Sequence, residues 1–142
     1  GGQKRSLRDM AEKYVGLDEG GKLSDSDLRS RLADHMMQAK AHSLTIGRIV
    51  AESRGNAKVS AAASILKNSA SSVAQGRAEL ILEIMGNQGL GWEGDGYTAE
   101  ELASVRTWLS GKAMSIYGGS FEVQNNIIAK NILGLPETTQ RG

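Results

Sequence analysis

Ser115-Ile116-Tyr117-Gly118-Gly119-Ser120-Phe121-Glu122-Val123-Gln124-Asn125-Asn126-Ile127-Ile128-Ala129, closed by Ile132-Leu133-Gly134-Leu135-Pro136, is the stretch on which the reading turns. Two adjacent glycines inside helix-forming sequence end the preceding helix, because glycine costs helix stability and tolerates left-handed backbone. Ser120 is an N-cap residue type, so a new helix is expected directly after the break. Val123, Ile127, Ile128, Ala129 and Ile132 are its expected buried face, and Gly134-Leu135-Pro136 stops it.

Upstream, Thr98-Ala99-Glu100-Glu101 has capping-box spacing, which predicts a helix from there toward Tyr117. Before it, Gly86 to Tyr97 holds five glycines and reads as a connection. The helix ahead of that loop ends at Met85 and starts after Gly55-Asn56. Val59, Ala62, Ile65 or Leu66, Ala70, Val73, Ala78, Ile81 and Ile84 or Met85 are predicted to share one side. Another helix is predicted from a Ser24 or Ser26 cap to about Arg54, its apolar stripe running through Leu28, Leu32, Met36, Ala39, Ser43, Ile46 and Val50. The first segment, about Arg5 to Val15, reads as the end of a helix that begins further upstream, with Gly16 as its cap. Pro136 is the one proline. The expected architecture is all-α: one domain over residues 1–142, an antiparallel up-down bundle of four long helices plus a shorter C-terminal helix.

Lysine and arginine number 17 against 16 acidic residues and are scattered, which leaves no nucleic-acid footprint. Cysteine is absent, so disulfides and thiolate chemistry are excluded. No apolar run approaches the roughly 20 residues that span a bilayer. A soluble cytoplasmic protein is the expectation, with no membrane and no nucleic-acid partner.

Candidate chemistry is sparse. His35 and His42 lie two helical turns apart, roughly 10 Å along the axis, too far to share one metal, and no metal site is expected. Gly86-Asn87-Gln88-Gly89-Leu90-Gly91 follows a helix rather than a strand and lacks a Lys-Ser/Thr ending, so it reads as an inter-helix turn. Glu79 and Glu83, one turn apart, read as a solvated face. Met36 and Met85 fall on core stripes, while Trp92 and Trp108 have no obvious place.

The quoted stretch resembles the C-terminal signature of acyl-CoA dehydrogenases: a double-glycine break, Glu122 and Gln124 two apart, and a helix ending in Leu-Gly-Leu-Pro. Glu83-Ile84-Met85-Gly86-Asn87 is similar to the family's Gln-Ile-Leu-Gly-Gly turn, at the expected distance upstream. The resemblance implies an FAD-dependent flavoprotein that dehydrogenates an acyl-CoA between its α and β carbons, of which this chain is the helical C-terminal domain. It also implies a homo- or hetero-oligomer.

By the same resemblance Glu83, Ile84, Met85, Gly86 and Asn87 pack on the adenosine and pyrophosphate of FAD held by a neighbouring subunit. Ser120, Phe121 and Glu122 correspond to a Thr-Ser-Glu contact to FAD. The sequence departs from the family at four places, one of them the absence of the Arg-x-x-Phe-Gly segment that often touches FAD near the start of this domain. Glu83 replaces glutamine, and its carboxylate repels a pyrophosphate. Asn87 replaces the second glycine. Gly118 stands where many members carry the catalytic glutamate, so no catalytic residue is assigned; other members carry the base on an earlier helix. Two rival readings share the fold: a non-catalytic partner subunit of a hetero-oligomeric dehydrogenase, and a flavin monooxygenase.

Overall fold

The structure, a computed structural model, describes residues 6–53 and 59–136. The chain break expected at Gly55-Asn56 and the helix end near Arg54 lie outside those residues, as do the side chains of Val59 and Ala62. Among the described residues the fold is all-α, without strands; a single antiparallel bridge joins Leu17 and Leu23. Five α-helices occur: α1 Leu7–Tyr14, α2 Ser26–Ser53, α3 Val59–Met85, α4 Ala99–Gly111 and α5 Phe121–Asn131. Two of these are long, α2 with 28 residues and α3 with 27; α4 has 13.

The helix boundaries follow from their caps. Ser6 accepts a hydrogen bond from the Asp9 amide while Asp9 returns one to the Ser6 amide, so α1 starts at Leu7 with a full capping box. This corrects the expectation of a helix continuing in from upstream. Asp25, rather than Ser24 or Ser26, caps α2: its carboxylate accepts from the Leu28 amide at 2.9 Å. The Thr98–Glu101 box opens α4 as expected. That helix stops at Gly111 and tightens into a 3-10 turn, Lys112–Ser115, instead of continuing to Tyr117. Gln75 fixes this end by donating to the Gly111 carbonyl at 2.9 Å.

The described residues form two compact units. One gathers the chain up to Gln38 with Ala74–Lys112; the other gathers Ala39–Val73 with the chain from Ala113 onward. The first unit has an aliphatic core of Leu7, Met10, Ala11, Leu28, Leu32, Leu80, Ile84 and Met85. Burying each large side chain stabilises it by about 1.5–3 kcal/mol. Gly89 packs so closely under α3 that a Cβ there would sit 2.6 Å from the Leu82 carbonyl oxygen.

The buried face of α2 differs from the expected stripe. Leu28 and Leu32 are buried, but the next position inward is His35, whereas Met36 is 61% exposed. Further on, Ala39, His42, Thr45 and Ile49 are half-buried while Ser43, Ile46 and Val50 are exposed. Steps of three and four can both continue a stripe, and over seven turns the choice accumulates into a rotation of the face. Gly76 on α3 lies against the His35 ring, at a distance where a Cβ would make an ordinary contact of 3.6 Å with the imidazole.

Among the described residues of the second unit, the buried side chains are polar: Ser64, Ser71 and Gln124. Ser71 donates to the Lys67 and Met114 carbonyls, at 2.9 and 3.1 Å. His42 Nδ1 lies 2.5 Å from the Ser69 hydroxyl, and Asn68 donates to Asn125 at 2.9 Å.

Candidate functional site

The two sequence blocks expected to meet a cofactor fall in different units, and each has its own local cause. Glu83-Ile84-Met85 is the last turn of α3. Gly86 follows with φ +55°, a conformation that favours glycine, and leads into a 3-10 turn, Gly86–Leu90. The side chains of Ile84 and Met85 point into the aliphatic core, 2% and 4% exposed, so only their backbone faces outward chemistry. Glu83, Gly86 and Asn87 are exposed.

Glu83 does not stand alone. The Arg31 guanidinium grips both its carboxylate oxygens and also donates to Asp27 at 2.8 Å. This pairing holds the Glu83 carboxyl below its ordinary range and raises Arg31 further above its own. Glu79, its neighbour one turn back, pairs instead with Lys112 at 2.5 Å. The two carboxylates therefore serve two separate cations and are no acid–base pair. Asp27, Arg31 and Glu83 together carry one net negative charge, which disfavours a pyrophosphate next to Glu83.

The second block is built on the glycine break. Gly118 and Gly119 take φ +69° and +99°, reversing the chain so that α5 begins at Phe121. Ser120 caps it, accepting from the Val123 amide at 3.4 Å. Gln124 reaches back to donate to the Gly118 carbonyl at 2.8 Å, and Lys67 donates to the Gly119 carbonyl at 2.5 Å. The turn is thus held by Gln124, quoted above only as part of the signature, and by Lys67, which sequence reasoning did not single out. Gln124 is 8% exposed and Val123 50%, the reverse of the expected buried face, because the turn carbonyl recruits the amide.

Phe121 is half-buried beneath the Lys67 ammonium, 5.4 Å from the ring centre. Glu122 is exposed, and the Ser120 hydroxyl beside it holds its carboxyl below the usual value. This end of α5 brings together a hydroxyl, a carboxylate and an aromatic ring. The α5 C-terminus closes as expected: Gly134 turns at φ +63°, and Leu135 donates to the Ala129 carbonyl at 2.9 Å.

Other candidates resolve into packing. Trp92 is half-exposed under the Arg106 guanidinium, which also donates to its carbonyl. Trp108 lies beneath the Lys112 ammonium. Glu101 adds to its expected cap on α4 a role that no spacing announces: it accepts from the Tyr14 hydroxyl at 2.7 Å, and it is buried. No helix among the described residues is long and apolar enough to cross a membrane.

The sequence matches the family model for the acyl-CoA dehydrogenase C-terminal domain over residues 6–133. Among solved structures, it is similar to a chain of the ChsE4-ChsE5 complex from Mycobacterium tuberculosis, with 24% identity and a TM-score of 0.72. That likeness covers 93% of this chain and 35% of the other, so the present chain spans about a third of its structural relative and shares its fold. No curated protein matches. With the capped α5 behind its double-glycine break and the matched span of nearly the whole chain, the protein belongs to the acyl-CoA dehydrogenase family, as its C-terminal domain.

Proposed function

We propose that this chain is the helical C-terminal part of an FAD-dependent acyl-CoA dehydrogenase, contributing cofactor contacts and subunit packing to the full-length parent. The observation that carries the reading is the Gly118-Gly119 reversal with Ser120 capping α5, inside a span that matches the family. Gly86 and Asn87 would offer a hydrogen-bonding edge to the adenosine of FAD, with Ile84 and Met85 setting that edge from below and Arg31 keeping the Glu83 carboxylate turned aside. Ser120, Phe121 and Glu122 would contact an uncharged part of the cofactor. When bound, FAD supplies the hydride acceptor for dehydrogenation. Gly118 has no side chain to accept the α-proton, so the base comes from another part of the parent or from a partner subunit.

Subunit packing is supported by exposed apolar side chains. Leu44, Ile116 and Leu133 are 62%, 72% and 63% exposed, apolar surface that a neighbouring subunit would cover. The parent is read as a soluble, cytoplasmic oligomer. A second reading, a non-catalytic partner subunit in a hetero-oligomer, is favoured by Gly118 and Glu83. The structural relative comes from a complex of two differently named components.

The test is a turnover assay of the full-length parent with a set of acyl-CoA thioesters and an artificial electron acceptor. Enoyl-CoA formation with bleaching of the flavin is expected. Oxygen consumption coupled to hydroxylation would show a monooxygenase instead. Flavin retention without turnover, restored on adding a second subunit, would select the partner-subunit reading.

A further inference from the structure

Away from both blocks, the first unit contains a cavity of about 320 Å³ between α1, the loop after it and the start of α2. Its apolar lining comes from Leu7, Leu17, Leu23, Leu32 and Met36, and its charged lining from Arg8, Glu12, Lys22 and Arg29. The loop wall is cross-braced. Leu17 and Leu23 form a bridge, the Asp18 carboxylate accepts from the Gly20 and Lys22 amides at 2.9 Å each, and Ser24 ties back to the Val15 carbonyl at 3.3 Å. A pocket with a wall fixed in this way binds without first having to order itself.

The charges around the cavity are unequal in availability. Glu12 is engaged by Arg8 at 2.7 Å, and the Asp18 carboxylate is turned to backbone amides. Arg29 donates to the Leu23 carbonyl, an uncharged partner, at 3.2 Å. Among the described residues no carboxylate lies in ion-pair range of Lys22 or Arg29. An apolar chamber flanked by two such cations complements a ligand with one anionic head and one aliphatic tail. Its volume is at the lower end of the roughly 300–1,000 Å³ usual for small-molecule pockets, which suits a tail of medium length.

We propose that this cavity binds a medium-chain fatty carboxylate, its head between Lys22 and Arg29 and its chain among the leucines. The probes are decanoate, decanol and decyltrimethylammonium, each below its micelle-forming concentration, titrated into the chain by calorimetry and by amide chemical-shift mapping. Decanoate is expected to bind one to one and to shift Gly21, Lys22 and Ala33. Decanol should bind more weakly, and the cationic amphiphile weakest of all. Lys22→Glu should weaken decanoate by about tenfold or more while changing decanol by less than about twofold.

Ala33→Trp, which fills the chamber from an exposed position, should abolish both; circular dichroism shows whether that variant is folded, and the Lys22 variant stands without it. Equal affinity for the anionic and cationic probes, shifts confined to other parts of the chain, indifference to Lys22→Glu, or no decanoate binding would each overturn the proposal.

Discussion

In the unit that carries α1 and α4, the buried side chains are mainly aliphatic, with Leu7, Leu28, Leu32, Leu80 and Ile84 forming one cluster. Among the described residues of the unit that carries α5, the buried side chains are Ser64, Ser71 and Gln124, while Leu44, Ile116 and Leu133 are turned outward. The first unit gains its stability from apolar burial, which is non-directional. The second is held by directional bonds from Lys67, Ser71 and Gln124 to the carbonyls of Gly119, Met114 and Gly118. Such bonds contribute modestly to stability but fix a backbone path. The path they fix is the reversal that starts α5.

The largest expected effect tests the aliphatic side of that contrast. Ile84→Ala should destabilise the chain by about 3 kcal/mol in urea unfolding, through lost burial and the cavity left behind. Val123→Ala, at a half-exposed site on α5, should cost less than about 0.5 kcal/mol. Similar losses at the two sites would remove the distinction between the units.

Next comes the reversal itself. Gly119→Ala meets both an unfavourable φ and the Gln124 amide, 2.5 Å from the new Cβ, and should cost about 2 kcal/mol. At Gly118 the surroundings are open, so alanine pays for φ alone, about 1 kcal/mol. Thermal unfolding of the pair measures the difference, and equal midpoints would show that Gln124 gives way freely.

Ser71→Ala should cost about 1 kcal/mol by leaving the Met114 carbonyl without its donor. A loss of that size, with α5 amides exchanging faster while α1 amides do not, would sharpen the case for a hydrogen-bonded second unit. Unchanged exchange in α5 would weaken it.

The smallest effects are electrostatic. Glu83 is held below its ordinary 4.5 first by the Arg31 bond, so its contribution is present above that pH and is lost as pH falls through the folded value. The pair is half-exposed, and Glu83→Gln should cost under about 1 kcal/mol at neutral pH. His35 is displaced the same way, below 6.5, by burial and then by Arg77. The unfolded chain therefore takes up the proton first, and stability declines as pH drops below 6.5. Unfolding midpoints of wild type and His35→Gln between pH 7.5 and 5 should diverge, with the variant flatter. Parallel curves would show that His35 is open to water.

The sequence was most legible where a local device decides the structure. The Thr98–Glu101 box, the Gly118-Gly119 break and the Ser120 cap could all be read from residue type and spacing, because each acts within four residues. Asp25 was passed over since three consecutive cap-type residues stand there and only the fold selects among them. The face of α2 was misjudged at Met36 because rotation accumulates along 28 residues, and a histidine seldom marks a buried stripe. The partners of the candidate residues were not legible: Arg31 and Glu83 are 52 positions apart, and so are Lys67 and Gly119. Neither pairing leaves a periodic trace.

Flavin retention tests the central claim most directly. Asn87→Ala and Glu122→Ala each remove an exposed side chain from one block and leave the core alone. Each should lower the ratio of bound FAD to protein after gel filtration of the full-length parent, with helicity unchanged and the double variant lower still. Full flavin occupancy in the double variant, at wild-type affinity, would contradict the assignment of these two edges to the cofactor.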